Sequence, residues 1–275
     1  MSTISVLMSV YHKDKPAGFD RALKSVWTDQ TLKPDEIVLV EDGPLNDELY
    51  NIVKKWEGIL GDKLIVLKNE QNIGLTKSLN KGIKVVSGKY IARMDSDDVS
   101  MPERFQLQLR YMESHPEVAA SSGSVNIYNG EGDFLYTKKF PLTDGEARRW
   151  ICKSSPLSHP CSFMRSEIFK SGISYNEEYR TTQDIALWFD ILSKGYQLGN
   201  IPEPLLRFEY DDNLFKRRSK EKAKNEFRIY MNGIRSLYGS FSWRYVYPVM
   251  RYIFRRLPLP IIKLIYNSKL KNKIS

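Results

Sequence analysis

The chain has 275 residues, 41% of them hydrophobic and 12% aromatic, with 42 Lys/Arg against 33 Asp/Glu. That length carries one large domain, or one domain with an appendage, and the composition excludes a disordered or collagen-like chain. Two cysteines, Cys152 and Cys161, form neither a disulfide framework nor a metal-ligand spacing, so a reduced, cytosolic setting is expected.

The elements follow in chain order. Ile4 to Tyr11 reads as a buried strand, and Phe19 to Thr28 as a helix with Phe19, Ala22, Leu23 and Val26 on one face. Asp35 to Val40 is a second strand, stopped by Glu41-Asp42-Gly43-Pro44. Leu49 to Leu60 is a second helix, Leu64 to Leu67 a third strand, and Gly74 to Val86 a third helix closed by Ser87-Gly88. Tyr90 to Met94 is a fourth strand, ending in Asp95-Ser96-Asp97-Asp98. Strands alternating with helices of this length predict βαβ units and a parallel sheet. Ser100-Met101-Pro102-Glu103 matches a capping box, so a helix is expected to start there.

After residue 115 the pattern changes. Val118 to Val125 and Phe134 to Phe140 read as strands of mixed or antiparallel character, and Ile185 to Ser193 as a helix burying Trp188, Phe189 and Leu192. From about residue 214 the chain turns basic and aromatic. Residues 214–275 hold 16 Lys/Arg against 2 Glu, whereas residues 1–213 hold 26 against 31 acidic residues. A mildly acidic body with a basic tail suits an anionic partner, a membrane surface or nucleic acid. On a helical wheel Arg244, Arg251 and Arg255 fall within about 40° of one another. Val246, Val249, Met250, Ile253 and Leu257 fall opposite, and Pro258 and Pro260 end the helix. Two readings stand: an interfacial membrane helix, or a helix packed on the body with its arginines in water. The N-terminus lacks the basic stretch and cleavage site of a signal peptide, and no run of 18 apolar residues predicts a membrane span.

The acidic run carries the chemistry. Carboxylates gathered at a strand end repel one another unless a cation sits among them. Such oxygen ligands favour Mg²⁺ or Mn²⁺, with phosphate as a further ligand. Open α/β sheets bind ligands beyond the carboxyl ends of their strands.

Taken together, Ser9-Val10-Tyr11, Glu41-Asp42-Gly43-Pro44, Asn72-Ile73-Gly74-Leu75 and Asp95-Ser96-Asp97-Asp98 resemble the family 2 glycosyltransferases in order and spacing. The resemblance covers roughly residues 3–210. It implies an α/β GT-A fold: a Rossmann-like, mostly parallel sheet with a smaller mixed-sheet acceptor half, plus here a basic helical C-terminal extension. The implied division is 1–115 for the nucleotide sugar, 116–213 for the acceptor and 214–275 for the extension. In this reading Ser9, Val10, Tyr11, Asp42 and Asn72 hold the nucleotide. Arg93, Asp95 and Ser96 flank the sugar nucleotide, and Asp97 with Asp95 holds the metal, Mn²⁺ or Mg²⁺. Asp98 is a turn cap instead. The family often carries arginine where Leu79 stands, and Lys77 is the candidate substitute. The family's catalytic base lies in an E-D pair opening a helix that runs on to tryptophan. Gln183-Asp184 stands here ahead of Trp188, which leaves Asp184 as the base because glutamine cannot ionise. His159, Gln183 and Trp188 are placed on the acceptor side.

The resemblance implies an inverting enzyme that moves a hexose or N-acetylhexosamine from a UDP-sugar to a glycan hydroxyl. The expected acceptor is a lipid-diphosphate-linked sugar of O-antigen or capsule synthesis, met at the inner membrane face. Two other classes remain open at this point: a nucleotidyltransferase that makes the sugar nucleotide, and a nucleic-acid-binding protein using the tail. The first typically has a glycine-rich loop after strand one, which His12 to Gly18 lacks. The second leaves the acidic strand ends without a purpose.

Overall fold

A computed structural model describes residues 3–209 and 220–256. One sheet organises the body, in the order β3-β2-β1-β4-β8-β6-β9-β5, with β7 paired to β6. Strands β1 (Ile4–Val10), β2 (Glu36–Glu41), β3 (Leu64–Lys68) and β4 (Tyr90–Met94) are parallel. Helices α1 (Pro16–Val26), α2 (Asp47–Leu60) and α3 (Leu75–Ile83) connect them. The chain steps outward from β1 to β3, then returns through α3 to place β4 on the other side of β1. That reversal is a topological switch point, and a crevice opens there beyond the strand ends.

Alternation along β1 divides the core. Val6, Met8 and Val10 face a cluster with Phe19 and Leu23 of α1, while Leu7 faces Leu79 of α3. Covered on both faces, the parallel strands read as continuous apolar runs, which is why they were legible.

The second half mixes directions. β8 (Phe163–Arg165) runs antiparallel to both β4 and β6 (Val118–Tyr128). β6 runs parallel to β9 (Gln197–Glu209), β7 (Phe134–Lys138) pairs antiparallel with β6, and β5 (Val99–Ser100) antiparallel with β9. β9 went unread because Pro202 and Pro204 interrupt it, and proline cannot donate to a ladder. The register with β6 shifts there, and Ser124 Oγ donates to the Pro202 carbonyl at 2.8 Å.

The capping box expected at Ser100 is absent. Ser100 belongs to β5, and its Oγ accepts from Gln30 Nε2 at 3.1 Å. Helix α4 (Arg104–Ser114) follows Glu103, which makes no side-chain capping bond. The capping box sits instead on α5 (Asp144–Ile151): Thr143 Oγ1 accepts from Glu146 N, and Glu146 Oε2 accepts from Thr143 N at 3.1 Å. A short α6 (Glu167–Lys170) precedes α7 (Gln183–Ser193).

The C-terminal extension forms α8 (Lys220–Tyr238) and α9 (Val246–Arg256). The expected boundary at 213, Leu257 and the two prolines lie outside the described residues. α8 buries Ile229, Tyr230 and Ile234 in the same core cluster as Trp188 of α7. At Gly233 an added Cβ would stand 2.2 Å from the Phe189 ring, so only glycine permits this approach.

The arginine face of the tail helix turns toward the body and is only partly solvated. Arg251 Nη2 lies 2.7 Å and Arg255 Nη2 2.9 Å from the carboxylate of Glu226 on α8. Arg244 stacks on Tyr238, 4.0 Å from its ring centre. Glu226 is only 4% exposed, and a buried carboxylate needs its cations. Desolvation therefore turns the charged stripe to the body and leaves Val246, Val249, Met250 and Ile253 exposed, with Phe241 and Trp243 ahead of them. Joint Arg251→Met and Arg255→Met replacement is expected to cost about 3 kcal/mol, the low end for a broken buried pair, because the arginines are partly solvated. Thermal or urea unfolding of the full chain measures it, and an unchanged midpoint would remove this ion cluster as the brace.

Candidate functional site

The crevice at the switch point is a cleft of about 660 Å³. β1 brings Ser9 and Tyr11 to it, β2 brings Asp42, and the β4 end brings Asp95, Ser96 and Asp97. Asn72 and Gly74 close it from the α3 side.

Asp42 is 4% exposed and its carboxylate is largely occupied. Oδ1 accepts from Ile73 N at 2.8 Å, Gly74 N at 3.2 Å and Asn69 Nδ2 at 3.3 Å, and Oδ2 accepts from Gly74 N at 3.0 Å. An ionised carboxylate offers about four lone-pair sites, so Oδ2 keeps room for one more donor. Asp42 thus pins the loop before α3 and also faces the cleft. Its neighbour Gly43 sits at φ 91°, and a Cβ there would lie 2.6 Å from Asn72 N. Asn72 Nδ2 donates to the Asp42 carbonyl at 3.2 Å.

The carboxylates of Asp95, Asp97 and Asp98 each present an oxygen within 4.8 Å of one another. Asp98 is 2% exposed and its Oδ2 has no hydrogen-bond partner. Burial, then the charges of Asp95 and Asp97, raises its pKa well above the usual carboxylate range. The donor set is all oxygen and crowded, and one Asp98 oxygen in it lacks a partner, so it fits a hard divalent cation.

Beneath the cluster, Arg93 is buried and ion-paired to Asp95. Its Nε and Nη1 lack partners, and it does not line the cleft. Its pairing suits it to positioning Asp95. Val10 is likewise a core residue, serving through its carbonyl, which accepts from Asp42 N at 2.8 Å. Lys77 is exposed on α3 and is not part of the cleft lining.

Asp184 opens α7, half-buried. Burial raises its pKa, the Ile185 N–H and Arg93 oppose this, and Asp95 adds to the rise. The carboxylate thus lies within electrostatic reach of the β4 end. Thr182, two residues earlier, holds φ 66°. A β-branched residue there is strained, and such strain collects at functional sites.

His159, Gln183 and Trp188, placed on the acceptor side by the resemblance, are not among the residues that line this cleft. All three side chains are buried, at 9%, 6% and 0% exposure. His159 Nε2 hydrogen-bonds Tyr175 Oη at 2.8 Å, and burial with the nearby Arg93 charge holds its pKa well below the usual value.

Sequence reasoning missed five polar residues of the cleft lining, Asp14, Arg180, Thr181, Lys222 and Asn225. Asp14 accepts from Ser96 Oγ at 2.7 Å and from Tyr11 N at 3.1 Å. Burial, opposed by those bonds, pushes its pKa up to about 6. Its place in the loop after β1 was the available signal. Arg180, before α7, and Lys222 and Asn225, on α8, also line the cleft. No local pattern marks them, because folding brings them from more than 80 residues beyond the acidic run.

The family model described as "Glycosyl transferase family 2" matches residues 5–172. The chain is 33% identical over 268 residues to the amylovoran biosynthesis glycosyltransferase AmsE of Erwinia amylovora, covering 97% of this chain and 99% of the relative. It is 30% identical to the UDP-Gal:alpha-D-GlcNAc-diphosphoundecaprenol beta-1,3-galactosyltransferase of Escherichia coli, covering 97% and 96%. S. aureus TarS 1-349 in complex with UDP-GlcNAc superposes with a TM-score of 0.68 at 18% identity, covering 92% of this chain and 72% of that one. The mannosyltransferase PcManGT of Pyrobaculum calidifontis, in complex with GDP-Man and Mn²⁺, gives 0.65 at 13% identity, covering 98% and 80%. The fold is GT-A, and the chain belongs to glycosyltransferase family 2.

Proposed function

We propose that this glycosyltransferase is an inverting, metal-dependent enzyme that moves a hexose or N-acetylhexosamine from a UDP-sugar to a hydroxyl of a lipid-diphosphate-linked glycan. The observation that carries this reading is the convergence of Tyr11, Asp42 and the Asp95/Asp97 carboxylates on one cleft, with Asp184 in electrostatic range. The relatives' printed substrates, UDP-Gal with a diphosphoundecaprenol acceptor and UDP-GlcNAc, support the donor and acceptor classes.

Tyr11, 38% exposed, offers a ring face to the base, and the spare Oδ2 capacity of Asp42 suits an imide N–H. Asp95 and Asp97 would hold the cation, with Arg93 fixing the geometry of Asp95. A divalent cation there neutralises the charge of a departing diphosphate. Asp184 takes the proton from the acceptor hydroxyl as its oxygen attacks the anomeric carbon, and the bond to UDP breaks on the opposite side. The raised pKa of Asp184 moves it toward the working pH, where a general base is most effective. A panel of UDP-sugars with Mn²⁺, read by UDP release, tests the reading. Turnover of none of them, with or without acceptor, would remove it.

No helix among the described residues is long and apolar enough to cross a membrane. Peripheral docking at the inner membrane face is instead supported by the exposed apolar side of α9, with Phe241 and Trp243 at its head, on a strongly basic extension. Met250→Glu with Ile253→Glu is expected to reduce flotation with anionic vesicles. Undiminished flotation would exclude this face.

A further inference from the structure

A second cavity lies away from the donor cleft, where the β7–α5 connection meets α5. It measures about 510 Å³. Phe140, Pro141, Leu142 and Trp150 give it an apolar lining, and among the described residues Trp150 is left 45% exposed. Lys139, Arg149 and Lys153, all exposed, contribute three cations to the same wall. The single carboxylate there, Glu146, is engaged, because its Oε2 accepts from Leu142 N at 3.0 Å and Thr143 N at 3.1 Å. The cavity therefore combines apolar surface with an excess of positive charge, three cations against one carboxylate. The donor cleft has the opposite character, a carboxylate cluster.

The position of the cavity connects two parts of the molecule. On one side, Phe140 lies 5.0 Å below the Lys138 ammonium, which interacts electrostatically with Asp184. On the other, Lys153 Nζ lies 5.0 Å over the Tyr247 ring of α9, and Arg251 Nη1 donates to the Lys153 carbonyl at 2.8 Å. The cavity thus runs between the neighbourhood of the base and the helix whose apolar side is exposed.

We propose that this groove binds the phosphate-bearing end of a prenyl diphosphate: the lipid's first apolar units lie on Trp150, Phe140 and Leu142, and its phosphates meet Lys139, Arg149 and Lys153. The inference rests on the lipid-linked acceptor reading above and gives it a place in the structure. A membrane lipid is the occupant that the charge and the neighbouring α9 face both favour. A second copy of the chain would bring two strongly basic extensions together, and like charges at close range oppose that pairing. A nucleotide finds no free carboxylate or metal set in this groove.

The test uses the full chain saturated with UDP in EDTA, so that the donor cleft and the carboxylate cluster are not the reported site. The probe is farnesyl diphosphate, with farnesol and inorganic diphosphate as single-feature controls. Farnesyl diphosphate is expected to bind, and each control to bind at least tenfold more weakly. The Lys139→Gln, Arg149→Gln, Lys153→Gln triple variant and, separately, Trp150→Ala are each expected to weaken farnesyl diphosphate binding at least tenfold. UDP-sugar hydrolysis without acceptor should stay at the parent rate in both, since neither touches the cleft, and it also certifies the fold. Binding unaltered by both variants, or inorganic diphosphate as tight as farnesyl diphosphate, would overturn the groove assignment. Failure of the parent to turn over any UDP-sugar, with or without acceptor, would instead remove the glycosyl-transfer reading, so the two failures are distinguishable.

Discussion

Asp97→Ala is expected to abolish sugar transfer while leaving the unfolding transition in place. Asp97 is an exposed member of the carboxylate cluster, and its side chain does not pack the core. Its removal leaves Asp95, tied to Arg93, and Asp98, buried and raised in pKa, as the remaining oxygen donors. That set offers a cation too little charge to compete with water. EDTA should reproduce the loss in the parent protein, and Mn²⁺ should restore the parent but not the variant. Full transfer in EDTA, or in Asp97→Ala, would contradict the metal role.

Asp184→Asn is the second large effect. The replacement is nearly isosteric and removes the capacity to accept a proton, so the rate on bound substrates should fall about 10²- to 10⁴-fold. Donor affinity should survive, because Asp184 does not line the donor cleft. The pH profile gives an independent readout. Burial raises the pKa of Asp184 above that of an ordinary aspartate, so transfer should decline, as pH falls, at a higher pH than a solvated carboxylate would set. That acid limb should vanish from the residual activity of the variant. Collapse of UDP-sugar affinity with an unchanged rate on bound substrate would move Asp184 out of the role of base.

The C-terminal extension is bound into both the site and the body. α8 supplies Lys222 and Asn225 to the cleft and packs on α7, the helix that carries Asp184. Glu226, one residue from Asn225, is held by the arginines of α9. A truncation near residue 213 therefore removes part of the cleft wall as well as the apolar surface of α9.

Much of this protein was legible without coordinates, for a local reason. β1 to β4 and their helices are runs of adjacent residues whose burial follows from period 2 or period 3.6, so their ends, and the motifs at Tyr11, Asp42, Asn72 and Asp95, could be placed by counting. The cluster of Asp95, Asp97 and Asp98 is contiguous for the same reason. What required tertiary structure was every feature set by desolvation or by distant approach. Nothing local to β9 shows that its prolines are absorbed by a register shift against β6. Nothing around His159 shows that Tyr175 claims its ring. The wheel of α9 separated arginines from apolar residues correctly, but which side faces inward was decided by a buried carboxylate on α8. Without that carboxylate to pair, burying two guanidinium groups in place of Met250 and Ile253 would be unfavourable. Arg180, Lys222 and Asn225 join the cleft only because α7 and α8 pack beside it, a consequence of the whole chain's folding and not of any segment's own pattern.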